Sequence, residues 1–219
     1  MVVNNLMEQK ITALKAQKRN PNRVNIYLDG LYAFSASRIV AAWLEVGQAL
    51  DEGKIAALRM QDSKEVALEK ALHFISYRSR SEKEVLKKLT DKGYSEKEID
   101  EVLARLRTTG LVADSQFARN WVEDRSTFRP RSRRLMTIEL HQKGVADEDI
   151  SNALAEIEDD STLAYQAASR YARRLEGLDW DKFRFRLSAY LGRRGFSYGT
   201  TAPVVRRVWL ELHSIESDE

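Results

Sequence analysis

The chain has 219 residues, 43% of them hydrophobic and 32% charged, which is enough apolar material for one or two cored domains. Its 36 Lys and Arg face 33 Asp and Glu, a net +3 that is too near balance to indicate an anionic partner by itself. With no cysteine there is no disulfide framework, thiolate metal site or thiol nucleophile; with no signal-like start and no apolar run near ~18 residues, a cytoplasmic location without a membrane partner is expected.

Residues 11–37 predict β structure. Ile11 to Gln17 form a first run, Val24, Ile26 and Leu28 alternate in a second, and Tyr32 and Phe34 alternate in a third. Asp29-Gly30 between the last two is a hairpin signal, because both residues tolerate positive φ. Asn20-Pro21-Asn22 separates the first run from the second, since proline cannot donate to a ladder. The expectation is a three-stranded sheet covered by a short helix around 38–44, with Gly47 and Gly53 punctuating the exit. The strand signal ends by about Asp62, and a domain boundary is expected between 57 and 64.

Everything after that is helical and repeats every 51 residues. Gly93, Gly144 and Gly195 share this spacing; each follows a basic residue and a leucine four positions upstream, Leu89, Leu140 and Leu191. In the helix that follows, Ile99, Val102, Leu103 and Leu106 return as Ile150, Ala153, Leu154 and Ile157, then as Thr201, Val204, Val205 and Val208. This is one apolar helical face kept three times. Glycine fits the turn because the residue after a helix C-cap favours a left-handed backbone. Ser81 with Glu84 and Ser95 with Glu98 match the capping box, and Ser132 and Asp147 are candidate N-caps. First helices are expected at 64–77, 115–127 and 161–176. The fold class is therefore mainly α. Three tandem three-helix units form an elongated, curved array behind a small β-rich element, with segments 1–60, 61–112, 113–158, 159–212 and an acidic tail, 213–219.

The stretches YRSRSEKEVLKKLTDKGYSEKEID, LVADSQFARNWVEDR, RPRSRRLMTIELHQKGVADEDI and LGRRGFSYGTTAPVV, in this order, resemble the RecX family. NIYLDGLYAFSAS followed by GQALDEGKI is similar to the extension of its longer members. The resemblance implies a modulator of the RecA recombinase, usually an inhibitor, acting on the RecA filament on single-stranded DNA in repair, recombination and the SOS response. It implies no catalysis and no cofactor. The third copy departs from the others at Thr201 and at 177–182, where the Arg-x-Arg of the other two copies is missing.

Two groups of arginines are the candidate binding residues. Arg78 and Arg80, then Arg129 and Arg131, stand at the same phase of two copies just before a helix start, where guanidinium forks and helix dipole both suit anions; Arg133 and Arg134 extend the second pair. Residues 161–210 carry ten Lys and Arg against three acids, an excess of +7 that includes Arg193, Arg194, Arg206 and Arg207, whereas 67–158 are balanced at 17 and 17. The rival readings are ion pairs within or between units and a solvated face. The aromatics Phe117, Trp121, Trp180, Phe183, Tyr190 and Trp209 read as core, and the three histidines show no metal-ligand spacing. The expected partners are RecA and its filament, with DNA contacted directly as a further expectation, and the chain is expected to be a monomer. A helix-turn-helix reader of base edges is the alternative on the same scaffold, although the matched third helices share no Arg, Asn or Gln cluster.

Overall fold

The computed structural model describes residues 8–214; the expected acidic tail beyond Ser214 lies outside the described residues. The described chain forms two compact units, one of residues up to 79 with 85–111, the other of 80–84 with 112 onward.

In the first unit, β1 (Gln9–Ala16), β2 (Arg23–Leu28) and β3 (Leu31–Ser37) form the expected antiparallel meander. Asp29 and Gly30 turn the hairpin at φ of 47° and 85°, the pair of positive values that matches strand twist. Alternation puts Ile11, Ile26, Leu28, Phe34 and Ala36 on one buried face, closed by Val40 and Leu44 of and after α1 (Arg38–Ala41). The sheet has four strands, not three. After Gly47 the chain returns as β4 (Ala49–Leu50), which pairs with β1 and gives the order β3-β2-β1-β4. A two-residue strand is too short to show alternation, which is why the sequence does not display it.

The helix α2 (Glu52–Ser76) starts twelve residues before the expected position 64, capped by Asp51, whose carboxylate accepts from Lys54 N at 2.7 Å. The segment expected to hold a boundary, 57–64, is helical throughout. A buried acid ties this helix to the sheet. Asp62 is 8% exposed and receives both guanidinium nitrogens of Arg23, at 3.0 and 2.9 Å, and the Ser37 amide at 2.6 Å. The helices α3 (Glu82–Thr90) and α4 (Glu96–Thr108) follow, with Ala67, Ala71, Val85, Leu89, Ile99, Val102, Leu103 and Leu106 buried. Ser95 and Glu98 form the expected capping box.

The second unit holds α5 (Asp114–Thr127), α6 (Arg133–Gln142), α7 (Asp147–Ala155), α8 (Asp160–Ala172), α9 (Trp180–Arg193) and α10 (Tyr198–Ser214) around one continuous core. The three-helix pattern thus recurs three times, and Leu89, Leu140 and Leu191 are each 0% exposed. Ser132 caps α6 as expected, but Ala146, not Asp147, occupies the cap of α7, and Asp147 is its first residue. The eighth helix ends at Ala172 instead of 176, where the chain turns to bury Leu175.

Within this unit one joint is used twice. Ser81 Oγ donates to Lys143 O at 2.7 Å, and the amide of Glu82 donates to the Asp114 carboxylate at 2.9 Å. One repeat later, the amide of Ser132 donates to Arg194 O at 3.0 Å, and that of Arg133 to the Asp160 carboxylate at 2.8 Å. The start of one second helix is thus pressed onto the glycine turn ending the next. The repeated glycine consequently meets two demands. Gly144 and Gly195 have φ of 83° and 86°, and a Cβ on Gly195 would lie 2.5 Å from Ser132 Oγ and 2.7 Å from Leu135 Cβ. At Gly144 it would lie 2.8 Å from Lys83 Cβ, whereas at Gly93 it would meet nothing within 4 Å.

Candidate functional site

The arginines of the second Arg-x-Arg converge with those ending α9. Arg129, Arg131, Arg193 and Arg194, with Tyr190, line a pocket of about 380 Å³, and no acidic side chain lines it among the described residues. The last turn of α9 favours cations because its carbonyls carry the negative end of the helix dipole, which accounts for Arg193 and Arg194 at that place. Pro130, between Arg129 and Arg131 in the chain, is buried.

Two of the four guanidinium groups are held in place by the protein. Arg194 Nη1 donates to Pro130 O at 3.0 Å, and its guanidinium lies 4.5 Å from the centre of the Tyr190 ring. Tyr190 is itself stacked on Tyr171, with ring centres 4.0 Å apart, so the ring that Arg194 covers is held in place. Arg131 pairs with Glu139 Oε1, while Glu139 Oε2 accepts from Arg125 Nε and Trp121 Nε1, both at 2.9 Å. The Arg125 guanidinium in turn lies over Trp121, 3.8 Å from the ring centre. Arg125 also donates to the Asp124 carboxylate at 2.6 Å, so Glu139 and Asp124 serve Arg125 and Arg131 while Arg129 and Arg194 stand close by. Burial, followed by the charges of Arg125, Arg194 and Arg129, holds the Arg131 guanidinium below the usual arginine value. Crowded like charge of this kind is relieved by an anion, and guanidinium forks bind phosphate or carboxylate oxygens in pairs.

The helix starts do not contribute as the sequence suggests. Those of α3 and α6 already receive the carboxylates of Asp114 and Asp160, so an incoming anion meets the arginines and not the helix dipole. Arg133 points elsewhere: its Nη2 donates to Leu154 O at 2.7 Å and Ile157 O at 2.9 Å, bracing the end of α7. Arg134 is exposed. Arg78 is exposed and donates to Ser79 O, and Arg80 lies 3.9 Å from Glu84. Arg206 lines a separate groove between α9 and α10. Arg207 donates to Glu211 at 2.8 Å and covers the Tyr165 ring; this bond to Glu211 raises its pKa and lowers that of the acid. The residues the sequence reading misses are Arg125 and Glu139, whose only trace is the i, i+4 pairing of Trp121 with Arg125. The six aromatics expected in the core do pack on it, Phe117 and Phe183 fully and the others in part. No helix among the described residues is long and apolar enough to cross a membrane, and no group of three or more His, Asp or Glu there is placed to hold a metal.

The fold and the pocket define a protein of tandem three-helix domains that follow a small sheet in the chain, with a pocket lined by four arginines. Four family models match in order: the regulatory protein RecX N-terminal domain over 9–51, and the first, second and third RecX three-helix domains over 67–106, 114–154 and 158–205. The regulatory protein RecX of Bacillus pumilus is 33% identical over 86% of this chain and 73% of its own length. That of Bacillus subtilis is 31% identical over 92% and 78%. A crystal structure of regulatory protein RecX superposes with a TM-score of 0.70 at 30% identity, covering 90% of this chain and 98% of that one. The chain belongs to the RecX family of regulatory proteins.

Proposed function

We propose that this chain modulates a RecA recombinase, most directly as an inhibitor, by binding the RecA filament on single-stranded DNA and limiting its ATPase and strand exchange. The observation that carries the reading is the set of four RecX domains in order, with a four-arginine pocket between the last two of them. The pocket is the contact: Arg129, Arg131, Arg193 and Arg194 meet phosphates or acidic groups of the nucleoprotein filament, and Arg78, Arg80, Arg134, Arg206 and Arg207 add long-range attraction. Arg133 serves the fold. The protein acts as a monomer in the cytoplasm, where recombinase and DNA meet, without a cofactor and without catalysis of its own. The test is a titration of RecA's DNA-dependent ATPase. Inhibition at substoichiometric amounts of this protein is expected, and an ATPase unaffected at equimolar protein would overturn the reading.

A further inference from the structure

The groove between α9 and α10 is distinct from the basic pocket. On α9, Arg184 and Phe185 line the groove, whereas Tyr190 and Arg193 line the pocket; the helical period sets the two groups on opposite sides of the buried stripe Phe183, Leu187, Leu191. Phe185 and Tyr198, 75% and 82% exposed, are the two most exposed aromatic side chains described in the second unit. Both border the same cavity of about 500 Å³, with Trp180 as a further wall and small side chains such as Ala202 in its floor. Trp180 is fixed from behind by an edge-to-face contact with Trp209 at 5.3 Å.

Rings left in water forgo burial that the core could have supplied, so two of them at one cavity call for an occupant. Charge selects which. The only charged residues lining the groove, among those described, are Arg184 and Arg206, both cationic, in the domain whose sequence carries the +7 excess. A cavity bordered by two exposed rings and two guanidinium groups, with no acid in its lining and only the exposed Asp181 pairing with Arg184 at 3.5 Å, matches a planar base with its adjoining phosphates. Stacking is indifferent to which base it holds.

We propose that this groove holds an unstacked nucleobase of a single strand against Phe185 and Tyr198, with the adjoining phosphates on Arg184 and Arg206. The proposal deepens the reading above: it rests on the third three-helix domain meeting single-stranded DNA, and not on the recombinase. It is therefore tested without recombinase, so either reading can fail alone.

The test uses the full chain with a labelled thymidine oligonucleotide and an abasic strand of equal length, read by fluorescence anisotropy. The parent protein binds the thymidine strand more tightly than the abasic one. Phe185→Ala with Tyr198→Ala loses about 5- to 150-fold on the thymidine strand for each stacked base and nothing on the abasic strand. Phe185→Tyr with Tyr198→Phe keeps the rings and keeps the affinity. Arg184→Glu with Arg206→Glu weakens both strands alike and flattens their salt dependence. A parent that does not distinguish the strands, or an aromatic variant that binds thymidine as the parent does, overturns the proposal. So does equal loss on both strands, which would take the rings out of base contact.

Discussion

The double demand on the repeated glycine can be separated into its parts. Gly177 and Gly195 lie in the same compact unit with φ of 77° and 86°, but a Cβ on Gly177 meets nothing within 4 Å, while one on Gly195 would stand 2.5 Å from Ser132 Oγ and 2.7 Å from Leu135 Cβ. Alanine at either position pays for the left-handed backbone, about 1–2 kcal/mol. Only at 195 does it also force apart two packed segments, which adds about 1–3 kcal/mol. The joint must then open or strain, and the bond from Ser132 N to Arg194 O, 3.0 Å long, is the first to suffer. For a chain of this size the extra loss corresponds to about 2–12 °C in melting temperature. Thermal and urea unfolding of Gly177→Ala and Gly195→Ala measure the difference. Equal losses at the two positions would refute the close packing of the joint and leave backbone conformation as the sole reason for the repeat.

Leu140→Ala removes a fully buried side chain at the repeated core position and should cost about 2–5 kcal/mol in chemical unfolding. Asp62→Ala leaves Arg23 without its bidentate partner and the Ser37 amide without an acceptor; about 2–4 kcal/mol should be lost from the first unit, with no change in filament binding. Arg133→Ala should behave likewise in the second unit, lowering stability by about 1.5–3 kcal/mol through its two carbonyl bonds while inhibition of the recombinase persists.

What was legible in the sequence is what local physics imposes residue by residue. Leu89, Leu140 and Leu191 announce the core because burial demands apolar side chains at fixed helical spacing. Gly93, Gly144 and Gly195 announce the turns because left-handed backbone demands glycine. The Asp29-Gly30 hairpin is readable for the same reason. Contacts between segments were not legible. Asp114 and Asp160 look like ordinary helix-start acids, yet they cap α3 and α6, the helices of the preceding repeat. Arg133 and Arg134 are neighbours of one chemistry, and only the path of α7 makes the first a brace and leaves the second in water. The pocket is the plainest case. Arg129 and Arg131 stand out by repeat phase and Arg193 and Arg194 by charge, but their meeting depends on Ser132 docking on the α9 turn, which no local pattern records.

The central claim is that the arginine pocket of a RecX-family regulator grips the anionic filament. Arg129 and Arg193 are the exposed members of the pocket, so their reversal leaves the clamp of Arg131 and Arg194 in place. The decisive measurement is the affinity of the parent and of Arg129→Glu with Arg193→Glu for RecA filaments on single-stranded DNA across a salt series, with unfolding checked in parallel. The account predicts weaker binding by the variant and a slope of log K against log salt that is flatter by about 1 for each phosphate no longer neutralised, at unchanged stability. A variant that binds the filament with the affinity and salt slope of the parent would contradict it.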